Sequence, residues 1–255
     1  MTSILLGGKS CEPPNTTSLG SFDCSNRTHK ISKPYFREWS NMRLHKGKSF
    51  LAPPRLFKSD KALYFPNFHG QTLTKDKKLL DTTPVLEGKV SVVSVFSSAW
   101  AENQAATFVS EQNNPGLHQI IKSSGGSAQL IRVNIEENWL KAAIVRFFMP
   151  GLRKKLGFDN WGRYFLVVKG VTEDTRDSIG LLNSKVGYTY LLDGECRIRW
   201  AGSGRAEGDE KESLVNGVRR LVEEVKTRQE KVAAPAEKRS VKPEKAESHK
   251  AQSAA

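Results

Sequence analysis

Cysteine is scarce in this chain. Of 255 residues only Cys11, Cys24 and Cys196 carry a thiol, and no two of them stand in a C-x-x-C or a metal-ligand spacing. A disulfide framework and a structural zinc site are thereby excluded. Cys11 and Cys24 would leave with the N-terminal segment if it is cleaved, and Cys196 alone cannot form an internal disulfide, which implies a reducing compartment, cytosol or mitochondrial matrix. Histidine is equally thin. Only His69 and His118 of the five fall in the part expected to fold, and neither has an H-x-x-x-H or H-E-x-x-H partner, so no metal site is expected. Long apolar runs are missing too: nothing approaches the ~18–20 residues of a spanning helix, and ILLGG at 4–8 is too short for a secretory signal. SSGGS (123–127) lacks the lysine of a phosphate loop, and Glu136-Glu137 has no second carboxylate placed opposite it. No catalytic or cofactor-binding set emerges, and none is expected.

Basic charge, by contrast, is in excess. The net +13 is concentrated at the ends, with eight Lys/Arg against three Asp/Glu in residues 1–48 and eight against four in residues 226–255. Excess charge in solvated tails is no sign of nucleic-acid binding, and none is inferred. Residues 1–48 are Ser/Thr-rich and then Arg/Lys-rich, with aromatic residues interleaved in KPYFREW, which resembles a mitochondrial transit segment ending before Ala52. A disordered cytosolic tail is the alternative. Residues 227–255 have no aromatic residue and almost nothing to bury, so a disordered charged tail is expected there.

The folded part is placed at 49–226. YFPNFHGQTL (64–73) reads as two extended pieces around a turn at His69-Gly70. Val90 to Phe96, AQLIRVNI (128–135) and RYFLVVK (163–169) read as buried strands. Glu102 to Gln112 can be helical with Ala105, Phe108 and Val109 inward, and Thr172 caps a helix beginning Glu173-Asp174. YTYLLDGECRIRW (188–200) is a hairpin about Asp193-Gly194 whose second strand places Cys196, Ile198 and Trp200 on the core side and Arg197 and Arg199 opposite. Leu214, Val218, Leu221, Val222 and Val225 form the inner stripe of a last helix. The order predicts an α/β class: a thioredoxin-like mixed sheet flanked by helices, with an N-terminal β-hairpin and a helical insertion.

LEGKVSVVSVFSSAW after FPNFHGQTL resembles the opening of bacterial thiol-disulfide reductases and peroxiredoxin relatives. Ala101 and Gln104 occupy the two cysteine positions, and Val186-Gly187-Tyr188 stands where such proteins carry a cis-proline. Thiol–disulfide exchange needs a thiolate nucleophile, which neither alanine nor glutamine supplies.

Further stretches, RLFKSDKALYFPN (55–67), RFFMPGLRKKLG (146–157), WGRYFLVVKG (161–170) and SIGLLNSKVGYTYLLDGECRIRWAGSG (178–204), resemble the fungal mitochondrial ATP synthase assembly factors that act on subunit a (subunit 6) of the membrane sector. That resemblance, running from about residue 50 to 225, implies a non-catalytic chaperone on the matrix side of the inner membrane. It would contact the membrane peripherally, bind new subunit a and aid its union with the c-ring. Neither nucleic acid nor a small-molecule substrate is implied. A degenerate thiol oxidoreductase or peroxidase, and a basic membrane-surface or RNA binder, are the competing classes.

For the client surface the insertion 139–165 stands out. Trp139/Leu140, Ala143/Ile144 and Phe147/Phe148 recur every four residues, an apolar stripe on one helix that Pro150-Gly151 should end. Six basic residues against Asp159 alone make this the one clearly basic part of the folded region. Trp139, Ile144, Phe147, Phe148, Arg153, Lys154 and Lys155 are therefore the candidate partner-binding residues, with Arg153, Lys154 and Lys155 expected to be exposed. The alternative is a stripe that packs on the sheet and leaves only its basic side to solvent.

Overall fold

A computed structural model describes residues 48–76 and 78–233. The proposed transit segment up to residue 47 and the tail beyond Ala233 lie outside the described residues. An extended segment leads to β1 (His69–Thr72) and β2 (Leu79–Asp81), then α1 (Thr83–Leu86), β3 (Val90–Phe96), α2 (Ala99–Val109), α3 (Pro115–Ser123) and β4 (Ala128–Ile135). There follow α4 (Trp139–Leu156), a 3-10 segment (Phe158–Arg163), β5 (Tyr164–Val167), α5 (Glu173–Ser178), β6 (Tyr188–Leu192), β7 (Ile198–Ser203) and α6 (Glu210–Ala233). These strands form a mixed sheet in the order β2-β1-β5-β4-β3-β6-β7. β3, β4 and β5 run parallel; β6, β7, β1 and β2 are antiparallel to their neighbours. The unit β3-α2-β4, a crossover, the β6-β7 hairpin and the closing α6 make the thioredoxin-like arrangement.

Every residue of β3, β5, β6 and β7 is buried, as a sheet covered on both faces requires. On one face Val90, Val92, Leu191 and Trp200 pack with Phe108, Leu117 and the α6 stripe Leu214, Val218, Leu221 and Val222. On the other, Val93, Val95, Val133, Phe165 and Tyr190 pack with Phe65, Phe68 and Leu86. A third cluster, at the β5 end of the first face, joins Leu73, Phe96, Ala101, Tyr164 and Leu166 to Met149 of α4. Helix starts follow the sequence: Ser98, Asn114, Asn138 and Thr172 each accept a bond from a backbone N–H of the first turn.

Four sequence expectations need correction. His69-Gly70 is no turn but the start of β1, which pairs with β2 and β5. A Cβ on Gly70 would stand 3.0 Å from the Leu166 carbonyl oxygen, so glycine lets these strands approach. In the second hairpin Leu191 pairs with Trp200 but Leu192 pairs with Ile198, making Arg199 the extra residue of a bulge. The bulge turns Trp200 to the α6 face and leaves Ile198 and Cys196 on the other. Arg199 is buried, not solvated: it donates to Phe57 O at 2.8 Å and to Asp193 Oδ2 at 3.3 Å. Third, α6 runs past residue 226 to Ala233, in a sequence of good helix formers tied by Arg228 to Glu195 at 2.8 Å. Fourth, Lys48 belongs to the fold, with its ammonium 2.7 Å from Glu210 and that pair almost dry. Ser49 N and Phe50 N donate to Ser203 Oγ, so a transit segment ending just before Ala52 would take part of the fold with it.

The free edge of β7 is covered by the entering segment: Phe57 N bonds Arg199 O, Ile198 N bonds Leu63 O, and Phe65 N bonds Cys196 O, all within 2.7–2.8 Å. Asp193 holds that corner. Its carboxylate accepts from Glu195 N, Arg197 N, Arg197 Nε and Arg199 Nη1. We expect Asp193→Ala to cost about 3 kcal/mol, the low end for breaking a buried pair, because the buried Arg199 guanidinium would keep only Phe57 O and the Glu224 carboxylate at 3.7 Å. Chemical unfolding should read this loss, and a change below ~1 kcal/mol would show that the corner does not hold the hairpin.

Candidate functional site

Two places deserve comparison: the corner where a redox protein would keep its thiols, and the outer face of α4. At the corner, Ser98 caps α2, Trp100 is partly exposed on its first turn, and Ala101 and Gln104 are buried. Gln104 Oε1 accepts a bond from Gly187 N at 3.1 Å, so its carboxamide links the helix to the loop that would otherwise face the thiols. A Cβ on Gly187 would overlap the Ala101 carbonyl and stand 3.0 Å from Ala105 N. Ala101 shares an apolar cluster with Phe96, Met149 and Leu166, so the insertion contributes to its surroundings. The corner is packed shut, and it has no group able to attack a disulfide.

Cys196 does not compensate. It sits in the turn between β6 and β7, with a φ of 60°, rather than mid-strand as its alternation suggested. That turn lies at the opposite end of β3 from Ala101, since Leu192 pairs with Ser91 and Tyr188 with Val95. Burial pushes its thiol pKa up, and the carboxylates of Glu87 and Asp193 push the same way. Among the described residues no group of three or more His, Cys, Asp or Glu could hold a metal ion.

The α4 face is the opposite case. Ala142, Val145, Met149, Leu152 and Leu156 recur at helical spacing and turn inward to the third cluster. The stripe read from the sequence therefore points away from the sheet. Phe147 is 80% exposed, Trp139 74% and Phe148 60%, with Leu140 and Ile144 about half exposed. Phe147 and Phe148 stack edge to face, with ring centroids 5.4 Å apart. Just beyond the helix, Phe158 adds a further exposed ring beside Trp161.

Pro150 does not end the helix. It forgoes one backbone bond, a cost of about 3 kcal/mol, yet the following turn is fixed from the side. Arg153 explains this and leaves the partner-binding set as a consequence. Its guanidinium donates to Leu73 O and Thr74 O, and lies over the Trp161 ring at 5.7 Å, while Trp161 Nε1 donates back to Arg153 O. Lys154 and Lys155 are exposed, in the last turn of α4, where cations complement the helix dipole. The outer face thus runs from aromatic at its start to basic at its end. Sequence spacing identified its members; the Arg153 anchor had no signal in the sequence.

Because the corner is closed by contact, Gly187→Ala should destabilise by about 1–3 kcal/mol, the range for forcing atoms into a packed site. A thermal melt would register it as a fall of several degrees; an unchanged melt would mean that the loop stands off the helix.

Comparison with known proteins agrees with the sequence. The family model described as "ATP10 protein" matches residues 26–221, beginning within the stretch read as a transit segment. The chain is 31% identical to the mitochondrial ATPase complex subunit ATP10 of Eremothecium gossypii, over 75% of this chain and 70% of that protein. It is 29% identical to the protein of the same name from Saccharomyces cerevisiae, over 78% and 77%. Among solved structures it resembles a secreted thiol-disulfide isomerase from Corynebacterium glutamicum at 10% identity, TM-score 0.45, covering 68% of this chain and 93% of that one. A match across 26–221 and relatives aligned over more than two thirds of their length leave one conclusion: the chain belongs to the ATP10 protein family.

Proposed function

We propose that the protein is a non-catalytic assembly factor of mitochondrial ATP synthase. In this reading it works peripherally on the matrix side of the inner membrane. It holds newly made subunit a (subunit 6) of the membrane sector on the outer face of α4 and aids its union with the c-ring. The names of its relatives, mitochondrial ATPase complex subunits, support the assembly role. The observation that carries the binding role is the exposed row Trp139, Leu140, Ile144, Phe147 and Phe148. A contiguous apolar surface rimmed by charge marks an interaction site, and aromatic residues are favoured anchors. A membrane subunit offers such a face an apolar partner before its own helices have assembled.

The basic end of α4 supports the location. No helix among the described residues is long and apolar enough to cross a membrane. Lys154 and Lys155, together with Lys141, are exposed beside the apolar row, and each cation near an anionic bilayer is worth ~1 kcal/mol. That suffices for salt-sensitive attachment and falls short of anchoring. Arg153 contributes no such contact, being occupied with the backbone of Leu73 and Thr74.

The test is affinity capture of subunit a from solubilised mitochondria by the full-length protein. Phe147→Ser with Phe148→Ser should lower recovery at least ~tenfold, the scale of losing central aromatic anchors, without changing the melting temperature. Lys154→Glu with Lys155→Glu should release the protein from the membrane at lower salt. Wild-type recovery by the folded aromatic variant would sink the assignment of this face.

The same protein should reduce no insulin and consume no peroxide. Ala101 and Gln104 carry no thiolate, and the Cys196 thiol is buried with a raised pKa. Turnover that vanishes in Cys196→Ser would instead favour an oxidoreductase.

A further inference from the structure

The sheet face that α2, α3, α4 and α6 share is not fully covered. Between α2 and α3 on one side, and the end of α4 with the 3-10 segment on the other, lies an open cleft of about 1090 Å³. Its floor is formed by Leu130 and Arg132 of β4 and Tyr164 of β5. Lys155 and Arg163 stand in its wall.

Arg132 differs from four other buried or half-buried arginines among the described residues. Arg153, Arg176, Arg197 and Arg199 each have a carbonyl or carboxylate partner. Arg132 sits on a strand interior, half-buried, and among the described residues its guanidinium makes neither a hydrogen bond nor an ion pair. Glu102 acts on it through space but does not close a salt bridge, and burial pulls its pKa below the ordinary arginine value. A half-buried guanidinium that faces an open cleft, with no protein acceptor among the described residues, keeps its donors free for an anion that enters. It is the arrangement of a binding group awaiting its anion.

We propose that this cleft binds a phosphate oxyanion, with Arg132 beneath it and Lys155 and Arg163 from the wall. A guanidinium presents parallel N–H donors that match two oxygens of such a group, and the bond is strongest where water is excluded. The three cations come from three elements, β4, α4 and the 3-10 segment, and line the same cleft. A phosphate has enough oxygens to meet all of them, whereas a carboxylate has two. Free phosphate and a phospholipid headgroup present the same oxyanion. The apolar residues Ile121, Leu130 and Leu156 in the cleft would add affinity for an acyl chain. Glu102, Glu111 and Asp159 also line the cleft; Glu111 is paired with Lys122, and Glu102 is the acid that acts on Arg132 and that an arriving anion must displace from its field.

The experiment titrates the full-length protein, at constant ionic strength, with inorganic phosphate and separately with monomeric dihexanoyl phosphatidic acid, following binding and melting temperature. Both ligands should raise the melting temperature. Arg132→Gln should bind each at least ~tenfold more weakly, the scale of losing one charge-assisted pair, while its ligand-free melting temperature stays equal or rises. Glu102→Gln should bind both more tightly. A lipid affinity ~tenfold or more above that of phosphate identifies the headgroup as the source, since even a short buried chain supplies that much; equal affinities identify free phosphate. Either supports the site. The proposal fails if the wild type binds neither ligand or if Arg132→Gln binds as well as wild type. It fails equally if Arg132→Gln and Glu102→Gln both lower the ligand-free melting temperature alike, for the two side chains would then be a structural ion pair.

Discussion

The docking of α4 over β5, on the α2 side of the sheet, is the contact on which the rest depends. β5 is parallel to β4 and fully buried, so its α2-side face, Tyr164 and Leu166, must be covered. Met149, Val145, Leu152 and Leu156 provide that cover. Once they turn inward, helical geometry sends Leu140, Ile144, Phe147 and Lys154 outward, nearly opposite. Arg153 fixes the last turns by holding two carbonyls just after β1 and stacking on Trp161. The aromatic row is exposed because the sheet needs the other side of the same helix.

That docking also bears on the corner at the start of α2. Ala101 shares the cluster that contains Met149, while Gln104 reaches Gly187 from the next turn of α2. Two positions that would carry sulfur in a thiol enzyme now carry a methyl group in an apolar cluster and a carboxamide bonded to the backbone. Both side chains serve packing. The corner is part of the core.

The ends of the sheet are secured by charge placed where water is scarce. Glu210, at the start of α6, receives Lys48 Nζ, Ala52 N and Glu207 N, which pins the entering segment to the closing helix. Asp193 does the same for the β6-β7 turn and Arg199. Each carboxylate satisfies several donors at once, the condition under which a buried charge is tolerated. Among the described residues Arg132 has no such partner, and that sets its cleft apart from the corners held by Glu210 and Asp193.

Local chemistry was readable from the sequence alone, because it depends on residues near each other in the chain. The β-branched runs Val90–Phe96 and Ala128–Ile135 are β3 and β4, Thr172 caps α5, and Leu214 to Val222 form the inner stripe of α6. The absence of thiols at Ala101 and Gln104 needed no coordinates, nor did the four-residue recurrence of the α4 stripe. What the sequence left open was decided by contacts between distant segments. Alternation placed Trp200 beside Cys196, and only pairing with Leu191 and Leu192 revealed the bulge that separates them. Pro150 reads as a stop, and side-on anchoring by Met149 and Arg153 carries the helix through it. Whether the aromatic stripe faced the sheet or solvent was undetermined by its period, since α4 has two apolar sides. Cover for β5 selected the side lined by Ala142 and Met149 and left Trp139, Phe147 and Phe148 to solvent.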